Sequence, residues 1–137
     1  MSFSVWLQWF ERGESQHVDA SAVREAFGSL IAGHDGSRWP LGDRGGGASL
    51  GDLYMSEDDA GCVSGISIHR PCASPELWAA IYRLLQLKFA VCHWPGGRPV
   101  VARDDVVSHL PPDMLQSLGV PHLVNSGHDI ERCIAET

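Results

Sequence analysis

Between residues 3 and 10 the chain alternates: Phe3, Val5, Leu7 and Trp9 fall on one side, and Ser4, Trp6, Gln8 and Phe10 on the other. A period of two is the signature of a β-strand, whose successive side chains leave opposite faces. This stretch restricts the fold more than any other. Its first face is wholly apolar and has to be buried. Its second face mixes Trp6 and Phe10 with polar groups, so it is expected to be half covered by another element or partly exposed.

The rest of the chain supplies elements that can cover such a strand. Val23, Ala26, Phe27, Leu30 and Ile31 make one stripe of a helix, with Asp19 or Ser21 as its cap and Gly28 and Gly33 bracketing its end. A short strand is expected near residues 38–41, inside a glycine-rich loop centred on Gly45, Gly46 and Gly47. Two strands follow at residues 52–56 and 62–69, joined by an acidic turn, and Cys62, Ser64, Ile66 and Ile68 are expected on one face of the second. The clearest helix starts at Ser74, a good N-cap. Pro75 suits its first position, and Leu77, Trp78, Ile81, Leu84 and Leu85 form its apolar stripe. A hairpin is expected around Gly96 and Gly97, then a short helix from Pro112 to its stop at Gly119, and a last helix capped by Ser126 with Ile130, Cys133 and Ile134 inward.

Strand, helix, strands, helix, hairpin and two helices read as an α+β fold: two layers, a largely antiparallel sheet with three to four helices packed mainly on one face. A chain of 137 residues with no repeat or linker is expected to form one globular domain over residues 1–137. With 44% apolar and 20% charged residues it has the makeup of a folded domain and not of a disordered acidic tail.

The chemistry on offer is sparse. Cys92 and His93 are neighbours, but adjacent strand residues point apart: His93 shares a face with Phe89 and Val91, and Cys92 with Ala90 and Trp94. His69 and Cys72 have the spacing of half a zinc site, and no second pair completes it, so no metal is expected. Gly46 and Gly51 carry the spacing of a phosphate loop, but Asp52 stands where lysine belongs. Leu50 likewise replaces the third glycine of a dinucleotide-binding loop. Gly61-Cys62-Val63-Ser64-Gly65 misses the nucleophile elbow by one position. No cofactor signature is present. Arginines are scattered and Lys88 is the only lysine, so no nucleic-acid footprint is expected. No apolar run reaches the roughly 18 to 20 residues of a membrane span. No secretory signal precedes the first strand and the four cysteines form no CxxC pair, so the expected location is the cytoplasm, with reduced thiols.

What remains is a surface. Ten basic residues against 17 acidic give a net charge of −7, which repels phosphate and favours a basic partner. Trp6 and Phe10, with the acidic turn Glu57, Asp58 and Asp59, form the expected protein-binding patch. The alternative is a small enzyme whose cysteine–histidine site assembles only in the fold. A homo-oligomer pairing through the first strand is a third option.

The segments SFSVWLQWFERGE, SPELWAAIYRLL and HLPPDMLQSLG together resemble small bacterial single-domain proteins, some of which are acidic immunity partners encoded beside secreted toxins. The resemblance implies a cytoplasmic protein that blocks a basic toxin domain by occupying its active cleft. It assigns no individual residue a role.

Overall fold

The structure is a computed structural model in which residues 3–42 and 48–137 are described. The Gly45–Gly47 loop lies outside the described residues. In chain order the strands are β1 (Ser4–Glu11), β2 (Glu14–Ser15), β3 (Val18–Asp19), β4 (Arg38–Gly42), β5 (Ser49–Tyr54), β6 (Cys62–Val63), β7 (Gly65–His69), β8 (Ala90–His93), β9 (Val100–Val101) and β10 (His122–Leu123). The helices are α1 (Ala20–Phe27), α2 (Pro75–Leu85), α3 (Pro112–Leu118) and α4 (Gly127–Ala135), with 3-10 turns at Gly28–Leu30 and Asp104–His109.

The alternating segment becomes the centre of the main sheet, whose order is β10-β9-β8-β1-β7-β5-β4. Every neighbouring pair is antiparallel except β9 and β10, so the sheet is largely antiparallel and the fold is α+β. Leu7 pairs with Ile66 on one side and Cys92 on the other, which places three apolar side chains in one row on one face. Val5, Leu7 and Trp9 are buried there beneath Leu77, Ile81, Leu84 and Leu85 of α2. Each such side chain withdrawn from water stabilises the fold by about 1.5–3 kcal/mol. The Ser74 hydroxyl accepts from the Leu77 amide and Pro75 sits in the first turn, so α2 starts where its local chemistry directs.

α2 packs against both α1 and α4. α4 approaches α2 tightly at Gly127, where a Cβ would stand 2.5 Å from the Trp78 carbonyl carbon. Only glycine permits that approach. Ser126 caps α4 by accepting from the Asp129 amide.

The second face of the sheet is half covered. Phe10, Val91, Val101, Val106 and Leu110 form a smaller cluster, with Met114 and Leu115 of α3 packed against it. The 3-10 turn and α3 therefore close one end of this face and leave the other end open. β1 turns into β2 through Arg12 and Gly13, whose φ angles are 52° and 82°. Two successive positive φ values give the hairpin twist that the strands require.

Some boundaries differ from the sequence reading. The strand expected over residues 62–69 breaks at Ser64 into β6 and β7. Val63 is then buried, while Ser64 is exposed and Cys62 only half-buried. β6 pairs with β3 in a separate two-stranded sheet, so its alternation is out of phase with that of β7. β5 starts at Ser49 and ends at Tyr54, earlier than expected. Among the described residues no helix is long and apolar enough to cross a membrane.

Candidate functional site on the open half of the sheet

The register of the strands assembles the open face. Arg38 pairs with Tyr54, Tyr54 with Ser67, Ser67 with Trp6 and Trp6 with His93, so five side chains from five strands leave the sheet in one line. The adjacent row runs from Asp52 through His69 to Ser4. Nothing in the local sequence of any one strand shows this line. It exists only once the strands are in register.

Trp6 is 37% exposed and stacks on the His93 ring, with centroids 5.7 Å apart and planes 19° from parallel. His93 Nε2 lies 3.1 Å from Gln8 Oε1, to which its N–H donates. Burial lowers the His93 pKa and favours this neutral ring. Tyr54 leans on His69 at 4.5 Å, and the Ser67 hydroxyl lies 3.2 Å from His69 Nε2. Asp52 is buried beside this group. Its two carboxylate oxygens accept from Arg38 at 3.1 Å and Arg70 at 3.0 Å.

Ser67 and His69 are placed as a hydroxyl–imidazole pair, but the nearest carboxylate is held by two arginines and not by the imidazole. A triad needs that third group to orient the ring. The thiols are no better placed for chemistry. Cys92 is fully buried and its pKa is pushed up to about 12 by desolvation. Desolvation and a hydrogen bond to Asp19 raise Cys62, and burial raises Cys133. Cys72 donates to the Ser49 carbonyl at 3.1 Å, while His69 faces Ser67 and Tyr54, so these two residues are turned to different partners. Among the described residues no three histidine, cysteine or carboxylate side chains converge as metal ligands would.

The open face is concave. Trp6, Gln8, Tyr54 and Ser67 line a groove of about 350 Å³, which continues past Met55 and Ser56. A second recess of about 500 Å³ shares Ser37, Met55 and Ser56 and is walled by Arg24, His34, Trp39 and Glu57. There His34 stacks on Trp39 at 4.0 Å, and the Arg24 guanidinium lies 5.7 Å from the same ring.

The five residues expected to bind a partner are thus distributed unequally. Trp6 and Glu57 line two recesses that share a wall. Phe10 is 8% exposed and belongs to the closed end, packed with Val91 and Val101. Glu57 pairs with Arg24. Asp58 accepts from the Ala60 and Cys62 amides at 2.9 Å each, and those bonds hold its pKa down. Asp59 is exposed in the same turn. Sequence reasoning missed Gln8, Tyr54, Ser67, His69 and His93 as a group. The only available signal was phase: Ser67 and His69 fall between the core positions Ile66 and Ile68.

Comparison of the chain with protein-family models, with curated proteins and with solved structures finds no match.

Proposed function

We propose that the chain is a non-enzymatic, cytoplasmic protein-interaction module whose working surface is the open half of the sheet. The observation that carries this reading is the groove at Trp6 and Tyr54. It presents two aromatic anchors in a concave setting, beside polar groups already bonded to one another and not poised for reaction. Tyrosine and tryptophan in such settings supply most of the affinity of protein contacts. The net charge of −7 favours a basic partner at long range, consistent with an immunity-like inhibitor of a basic toxin domain.

The test is affinity capture from the native host with the wild-type chain and a Trp6→Ala, Tyr54→Ala double variant in parallel. The proposal expects a specific protein retained by the wild type and lost with the variant. If that protein arrests growth when expressed, co-expression of the wild type restores growth and the variant does not. Equal recovery of every protein on both baits contradicts the proposal.

A further inference from the structure

The geometry points to an uncharged polypeptide segment as the occupant of the Trp6–Tyr54 groove. This rests on the reading of the chain as a protein-binding module, and it separates what attracts a partner from what touches it.

The chain carries 27 charged side chains, 10 basic and 17 acidic, yet among the described residues none lines this groove. Three of the acids near it have partners of their own. Asp52 is held between Arg38 and Arg70, Glu57 is paired with Arg24, and Asp58 is bonded to two amides of its own turn. His93 is held neutral, with its N–H bonded to Gln8. A basic segment laid in the groove would give up its hydration and find no carboxylate among the described lining residues to replace it. That costs more than the contact returns.

The lining instead pairs rigid rings with small hydroxyls. Trp6 and Tyr54 give flat apolar area at little entropic cost, and Ser37, Ser56, Ser64 and Ser67 give short, reorientable donors and acceptors. Aromatic rings among serines and glycine are the makeup of antibody combining sites, which recognise polypeptide surfaces without needing charge. Depletion of charge is also what distinguishes the core of a protein interface from its rim. The occupant that matches is a partner segment bearing amide, hydroxyl and aromatic side chains. The acidic field of the rest of the molecule then governs encounter and not the groove contact itself.

The test uses a displayed library of random peptides of roughly a dozen residues, panned against the wild-type chain and counter-selected on Trp6→Ala. Retained peptides are then titrated against wild type, Ser56→Lys and Ser56→Glu. Ser56 is exposed, so both charges enter the groove without disturbing the core. The inference expects retained peptides free of charge clusters. It expects affinity to change less than about twofold between roughly 50 and 500 mM salt, and both Ser56 variants to weaken binding by about tenfold or more.

Opposite effects of the two variants, with lysine-rich or arginine-rich peptides retained, overturn the inference while leaving the module reading intact. Failure to retain any peptide that depends on Trp6 overturns the inference, while the capture experiment with the Trp6→Ala, Tyr54→Ala variant decides the module reading separately. Concentration-dependent dimerisation of the wild type that is abolished by Trp6→Ala would assign the groove to a second copy of the chain and overturn the uncharged-segment inference as well.

Discussion

Cys92 and His93 are adjacent in β8 and serve opposite faces of the sheet. The Cys92 side chain is wholly buried in the helix-covered core, while the His93 ring lies on the open face against Trp6. Residues that look like a reactive pair in the chain are separated by the thickness of the sheet.

Thiol labelling reads this separation directly. Cys72 is exposed and reacts first in the native protein, whereas Cys92 reacts only on global unfolding. The Cys92 pKa is raised from 9.0 to about 12, so the folded state keeps a proton that the unfolded state loses. Stability from this group is complete below about pH 9 and is lost as pH rises toward about 12. Mass spectrometry after timed alkylation checks the order, and denaturation midpoints at rising pH check the slope.

His93 imposes the opposite dependence at low pH. Its pKa is lowered by burial from 6.5, so the unfolded state binds the proton more readily than the fold does. Stability is full above the ordinary histidine range and falls as pH drops through it toward the lowered value. Urea midpoints between neutral pH and about pH 5 decline for the wild type. The decline is shallower for His93→Gln.

Gly127 is a packing requirement and not only a helix start. Gly127→Ala drives a Cβ into the Trp78 backbone and costs about 3 kcal/mol, because neither backbone can yield cheaply. Gly33→Ala has open space and an ordinary φ and changes stability by less than about 0.5 kcal/mol. Thermal melts of the two variants give the comparison.

Asp52→Asn leaves Arg38 and Arg70 without the buried carboxylate that ties β4 and the end of β7 to β5. Both arginines are partly exposed, so water compensates in part and the expected loss is about 1–2 kcal/mol. Hydrogen exchange is expected to rise in β4 more than in β1. Uniform exchange across the sheet contradicts the assignment.

The parts of this fold that are legible in the sequence are those set by neighbours along the chain. Ser74 and Pro75 start α2, Ser126 starts α4, Gly119 ends α3, and the alternation of residues 3–10 gives a strand. The candidate site depends on distant pairings and was only partly legible. The same alternation puts Trp6 and Phe10 on one face, which is where they are, yet α3 and the turn before it cover Phe10 and not Trp6. No local pattern announces that cover. Glu57 and Asp58 read as free acids because Arg24 lies 33 residues before Glu57 and because the amides that bind Asp58 are backbone. Tyr54, Ser67 and His93 meet Trp6 through strand register alone.

The central claim is that a protein partner covers the groove at Trp6 and Tyr54. Oxidative footprinting of the chain alone and bound to the captured partner measures this most directly, since both rings are oxidisable and sit on the proposed contact surface. Protection of Trp6 and Tyr54, with exposed Val120 and Leu123 unchanged, is the predicted result. A bound partner that leaves Trp6 and Tyr54 oxidised as in the free chain, while protecting Val120 and Leu123, would contradict it.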